Sequence, residues 1–146
     1  MKRITKLFLL PVFILFLSSQ GIVAQSSNES TVKSVLTNLL EYSKSKSYNK
    51  AAELIAYDGE DSKRVDKDSY NAANKDELNQ VKRFCKKISA LLELSSSHEF
   101  SDFKTSKDGG KEEFILHVTF ISGDQKLITA FSFIKTDKGF LLTNMN

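Results

Sequence analysis

Residues 112–136 read EEFILHVTFISGDQKLITAFSFIKT, in which two alternating apolar runs flank Gly123-Asp124. Two such runs predict a β-hairpin with a two-residue turn. Counting outward from that turn gives the opposed pairs Ser122–Gln125, Phe120–Leu127, Val118–Thr129, Leu116–Phe131 and Phe114–Phe133. Because directly opposed residues share a face, both apolar rows fall on one side, as a half-buried antiparallel sheet requires. A slip of one residue would destroy this match.

Strand-like alternation also covers residues 98–106 and 140–145, on either side of the hairpin. The first connection has two candidate turns, Asp108-Gly109 and Gly109-Gly110, and the last connection contains Asp137-Lys138-Gly139. Four strands in sequence order therefore predict an antiparallel meander. Its second face is less aromatic but is not fully polar, since it carries Ile115, His117, Thr119, Ile121, Ile128, Ala130, Ser132 and Ile134.

Upstream of the strands, the apolar period is that of a helix. Three helices are predicted, over residues 29–45, 48–57 and 75–94. Asn74 is the expected N-cap of the third helix, and Glu77 is expected to reach back to it in a capping box. The polar, aperiodic segment 59–73 predicts a long loop, and such loops are often functional or mobile.

The first 24 residues have the order of a secretory signal peptide: a basic start, an apolar run over 7–17, and small or polar residues ending at Ala24. The apolar run has 11 residues, whereas a membrane-spanning helix needs about 20, so an uncleaved anchor is the weaker alternative. No cysteine directly follows the run, so a lipoprotein anchor is not expected. We expect cleavage after Ala24 and a periplasmic or secreted protein without a membrane anchor. Residues 25–30 are then a flexible leader and 31–146 a single α+β domain.

Removal of the signal changes the charge of the chain. Lys2, Arg3 and Lys6 are three of the 21 basic residues, so 18 basic side chains face 18 acidic ones in residues 25–146. A nucleic-acid partner is therefore not expected, because binding to phosphates needs a basic surplus. Cys85 is the only cysteine, so no internal disulfide can form, and its place in an apolar helical stripe predicts a buried thiol.

The order of elements resembles the nuclear transport factor 2-like superfamily, in particular small exported bacterial members of unknown function. The resemblance rests on the short second helix (YNKAAEL, 48–54) and on the final hairpin (IKTDKGFLL, 134–142). It implies three N-terminal helices packed on a curved four-stranded meander, with a cone-shaped cavity between them. A cystatin-like fold is the alternative. Because that superfamily contains enzymes, carriers and adaptors, its fold does not select a function.

Within such a cone, the aromatic side of the sheet would line the cavity, with Phe114, Leu116, Val118, Phe120, Phe131 and Phe133. A polar cluster of His98, Asp102 and His117 is predicted on the other side, since both two-residue turns put these three on one face. Histidine with carboxylate can bind metal or move protons, but two histidines and one aspartate are few ligands. We therefore predict no metal site, cofactor or catalytic residue.

The function expected from the sequence is non-enzymatic binding of a small apolar ligand or a protein partner, with homodimerisation through the sheet as one form of the latter. The alternative is a small isomerase or dehydratase that uses a Tyr/Asp or His/Asp pair inside the cone. Tyr42, Tyr48, Tyr57 and Asp58 are the candidates on the first two helices.

Overall fold

The computed structural model describes residues 20–108 and 110–146. Three helices come first: α1 (Gln20–Lys44), α2 (Tyr48–Ala52) and α3 (Lys75–Leu94). Four strands follow: β1 (Ser97–Asp108), β2 (Lys111–Ser122), β3 (Gln125–Thr136) and β4 (Gly139–Met145). The strands form one antiparallel sheet in the order β1-β2-β3-β4, which confirms the predicted α+β meander.

The central hairpin has the predicted register. Ser122 pairs with Gln125, and the pairing continues without interruption to Phe114 opposite Phe133. The aromatic face of the sheet packs against α1 and α3 to form the core. On α3 the predicted stripe is confirmed, since Val81, Cys85 and Ile88 are completely buried.

The start of α1 differs from the prediction. The segment predicted as a flexible leader, 25–30, is helical. Contacts one turn apart support it: Lys33 donates to Glu29 at 2.7 Å and the Thr31 hydroxyl donates to the Ser27 carbonyl at 2.9 Å. Since packing in the core already nucleates the helix, adding residues at its start requires only propagation. Of the predicted signal peptide, only residues 20–24 lie in the part of the chain that the structure describes. The rest of this prediction falls outside the described residues. Among the described residues, no helix is long and apolar enough to cross a membrane.

The second helix is shorter than predicted, because the chain after it pairs with β4. The N–H of Ala56 donates to the Leu142 carbonyl at 2.8 Å, and the N–H of Leu142 donates to the Leu54 carbonyl at 2.9 Å. Ile55 between them is completely buried. These bonds hold Ile55 and Ala56 extended, and they cover part of the outer edge of β4.

Candidate functional site

The six residues predicted to line a cavity belong to the packed core instead. None of Phe114, Leu116, Val118, Phe120, Phe131 and Phe133 is more than 3% exposed. A side chain that faced a water-filled cavity would keep accessible surface, so these residues do not line an open cone. Phe140 fills the end of the row by packing edge-on against Phe114, with ring centroids 5.0 Å apart. Phe120, at the other end of the row, borders a surface hollow of about 380 Å³ beside the end of α3.

The predicted His98, Asp102 and His117 cluster does not form. A β-bulge between Phe100 and Phe103 inserts one extra residue into β1, so His98 pairs with Phe120 and shares its face. Its ring lies 5.9 Å from that of Phe120, on the aromatic side. His117 points to the other side, opposite Ala130. Asp102 forms an ion pair with Lys104 at 3.0 Å, and no group of metal-ligating side chains occurs among residues 20–108 and 110–146.

The second side of the sheet, which we call the outer face, has no helix over it in the described part of the chain. Isoleucines stand on both sides of its centre: Ile115 and Ile121 on β2, and Ile128 and Ile134 on β3. Ile128 is 62% exposed, and the other three are half-buried. The middle pair is His117 and Ala130. The result is a stripe along the two central strands in which isoleucines alternate with His117, Thr119, Ala130 and Ser132. On β4, Leu141 lies opposite Ile134 and is buried.

Residues on β1 and β4 give the outer face a polar border. Glu99 pairs with Thr119 and Lys104 with Ile115, so charged side chains flank the stripe along β1. On the other side, Asn144 pairs with Ser132. Partly exposed isoleucines beside a polar rim are features that a protein–protein interface can have.

The long loop 59–73 is ordered around Arg64, a residue that the sequence did not single out. Its guanidinium donates to both carboxylate oxygens of Glu77, at 2.8 and 3.0 Å, and to the Ser69 carbonyl at 3.1 Å. It also stacks 4.0 Å from the ring centroid of Tyr57. Hydrogen bonding to Arg64 lowers the pKa of Glu77, and the Asn71 N–H assists. This network fixes the loop to the first turn of α3.

The predicted capping box of Asn74 and Glu77 is only partly formed. Asn74 caps α3 as expected, accepting from the N–H groups of Asp76 and Glu77. The Glu77 carboxylate does not complete the box at Asn74. It accepts from the N–H of Asn71 at 2.6 Å, three residues further back. No local signal identifies Arg64 as its partner, since the two are 13 positions apart.

The tyrosines proposed for acid–base chemistry have other surroundings. The Tyr57 hydroxyl accepts from the backbone N–H of Asp61 at 3.4 Å, and its ring packs edge-on against Tyr70. Burial raises the pKa of Tyr70. Tyr42 and Tyr48 lie under ammonium groups of Lys50 and Lys82, at 5.6 and 5.9 Å. These contacts are those of packing residues at the edge of the core.

Two further features lie outside the sheet. A groove of about 900 Å³ separates the loop from the ends of β2 and β3, and the ion pair of Asp66 with Lys111 joins its two walls. Cys85 is buried in α3, and burial raises the pKa of its thiol, with the nearby Ser43 hydroxyl partly offsetting the rise. A thiol in such a setting is not a poised nucleophile.

Three helices followed by a four-stranded antiparallel meander are the order implied by the nuclear transport factor 2-like resemblance, and the cystatin-like alternative shares it. One similar solved structure is that of an NTF2-like protein with a cystatin-like fold from Novosphingobium aromaticivorans. It is 12% identical, with a TM-score of 0.45, over 86% of this chain and 84% of the other. No protein-family model matches the sequence, and none of the curated proteins is significantly similar to it. The function must therefore be argued from the residues of this chain.

Proposed function

We propose that this is an exported, non-enzymatic binding domain whose outer face docks another protein, and that the docked protein is a second copy of the chain. The observation that carries the proposal is the isoleucine-bordered stripe of β2 and β3, which stays partly open while the aromatic side is buried. Export is supported by the basic, apolar and small-residue order of residues 1–24.

The size of the outer face suits a pair of copies. Three of its strands have 12 residues each and the fourth has seven. At about 3.3 Å per residue and about 4.8 Å per strand, the three long strands cover roughly 40 by 14 Å and the short one about 23 by 5 Å, or about 680 Å² in all. Specific interfaces bury about 600–1,000 Å² on each partner. Two such faces packed together would therefore reach the lower part of that range.

The net charge of the chain also favours self-association. Residues 25–146 carry equal numbers of acidic and basic side chains, so two copies have no net repulsion to overcome. A net charge near zero promotes association. The polar border of the outer face contains both signs, with Glu99 and Asp102 beside Lys104 on β1. A two-fold arrangement uses the same patch on both chains, and it can oppose these unlike charges.

The outer edges of β1 and β4 are protected, so association by edge-to-edge strand pairing is less favourable than face-to-face docking. The bulge between Phe100 and Phe103 interrupts the free edge of β1, and charged side chains line it. Residues 54–56 already bond to part of β4. Bulges and charges are common protections of sheet edges, so the face remains the better site of contact.

The other predicted functions have less support. A small apolar ligand in the cone needs open space, and the aromatic row is packed. An isomerase or dehydratase needs an acid–base pair within that space, whereas the bulge in β1 separates His98 from His117. No observation within residues 20–108 and 110–146 favours either function over docking.

Two adjacent exposed residues give a matched test. Ile128 and Leu127 are 62% and 54% exposed, and they lie on opposite faces of β3. We expect residues 25–146 to sediment as a dimer at micromolar concentration, Ile128→Glu to weaken that dimer at least tenfold, and Leu127→Glu to leave it unchanged. Because both side chains are exposed, both variants should fold, which circular dichroism would verify. A monomeric wild-type chain, or equal weakening by both substitutions, would overturn the proposal.

A further inference from the structure

The centre of the outer face contains a titratable side chain. His117 on β2 is opposite Ala130 on β3, and this pair lies midway along both 12-residue strands. If two outer faces pack about a two-fold axis through their centre, the two imidazoles come close to that axis. His117 is therefore at the place where docking would remove the most water.

The imidazole already has one nitrogen out of contact with solvent. Within the described part of the chain, Nδ1 of His117 is buried and has no hydrogen-bond partner. Most buried polar atoms in proteins have a partner, so an exception needs an explanation. A neutral ring can leave this nitrogen as an unused acceptor, whereas a protonated ring would carry a buried N–H without an acceptor.

The acidic group opposite the ring is Asp102, in the bulge of β1, and its carboxylate is already paired with Lys104. Along β2 its neighbours are Ile115 and Thr119, and on β3 they are Ile128, Ala130 and Ser132. On β1, Ser101 donates to the His117 carbonyl at 3.2 Å. The other charged groups nearby are Glu99 and Lys104 at the rim. A second copy would bring the same neutral centre and another imidazole.

We propose that His117 makes docking of the two copies dependent on pH, an inference that rests on the proposed function. The docked pair holds both imidazoles neutral, because an imidazolium there would be desolvated without a counter-charge and would face a second one. Protonation and docking therefore oppose each other, and the complex separates as the pH falls through the range in which histidine becomes charged.

The size of the effect follows from the proton count. Because the docked pair excludes one proton from each imidazole, separation of one dimer allows up to two protons to bind. By linkage, the dimer dissociation constant then rises by as much as about 100-fold per pH unit where the separated chains take up these protons. Ordinary carboxylates stay ionised between about pH 5.5 and pH 7.5, so they add little to the change.

The experiment measures the dimer dissociation constant of residues 25–146 at pH 7.5 and pH 5.5 by sedimentation equilibrium. We expect at least tenfold weakening at pH 5.5 for wild type and for the control His98→Asn, since His98 lies on the aromatic side. The dissociation constant of His117→Asn should be nearly the same at both pH values. His117→Gln is the second variant if the asparagine chain does not fold. A wild-type dimer of constant affinity, or full pH dependence in His117→Asn, would overturn this inference alone. A wild-type monomer at pH 7.5 would overturn the docking proposal as well.

Discussion

Arg64 and Glu77 connect the long loop to α3 through two parallel hydrogen bonds of 2.8 and 3.0 Å. The pair is partly shielded from water, with side chains 27% and 12% exposed. Tyr57 covers one face of the guanidinium, and Ser69 accepts a third bond from it. The 15-residue, mostly polar segment 59–73 is thereby held in one conformation beside the sheet.

Replacing Glu77 by Gln should destabilise the fold. The substitution removes the charge from a two-pronged hydrogen bond and leaves the Arg64 guanidinium only partly solvated, so we expect a loss of about 1–2 kcal/mol in the free energy of unfolding. Urea denaturation would measure it. Asp68→Asn is the control, because it alters an exposed ion pair with Lys138 and should have a much smaller effect. Equal losses in the two variants would show that the loop is not fixed by Arg64 and Glu77.

The same carboxylate predicts how stability responds to acid. Since Arg64 lowers the pKa of Glu77 in the folded chain, the stabilisation is complete above the ordinary glutamate value of about 4.3 and is lost as the pH falls through the lower folded value. The free energy of unfolding should therefore fall more steeply below about pH 4.5 in wild type than in Glu77→Gln. Chemical denaturation across pH 3–6 would compare the slopes, and parallel curves would exclude this role for Glu77.

The aromatic row gives a second stability prediction. Phe131 is completely buried, so Phe131→Ala should cost about 3–5 kcal/mol, and the milder Phe131→Leu keeps the comparison measurable if the alanine variant unfolds. Leu127→Ala, in the same row but 54% exposed, should cost less than about 1 kcal/mol. Thermal unfolding would rank the three variants. A Phe131 substitution as mild as that of Leu127 would indicate an open cavity in place of a packed core.

The central hairpin was predictable in detail because its information is local. Gly123-Asp124 defines the turn, and the period of two then determines every pair from Ser122 to Phe114. The capping of α3 by Asn74 was predictable for the same reason. In each case the residues that determine the geometry are within a few positions of one another.

The missed features depend on distant contacts. The bulge in β1 changes the face of His98, yet nothing in residues 100–103 distinguishes an extra residue from regular alternation. Residues 54–56 have a helical apolar pattern, but hydrogen bonds to Leu142 and to Tyr70 hold Ile55 and Ala56 extended. The network of Arg64 likewise needs Glu77 and Tyr57 from separate segments. The pattern of residues within one segment cannot indicate a bulge, a strand pairing or an ion pair that depends on residues far away in the sequence.

Docking through the outer face is tested most directly by cross-linking across the proposed two-fold axis. Ala130→Cys places a thiol at the centre of the outer face, and Leu127→Cys places one on the opposite side of the same strand. Packed sheets are separated by about 10 Å, so a bismaleimide of that span should join two Ala130→Cys chains. The predicted result is a covalent dimer from Ala130→Cys at micromolar concentration, with none from Leu127→Cys or from the wild-type chain, whose Cys85 is buried. Ala130→Cys chains that remain monomeric, or that cross-link no faster than Leu127→Cys chains, would contradict docking through this face.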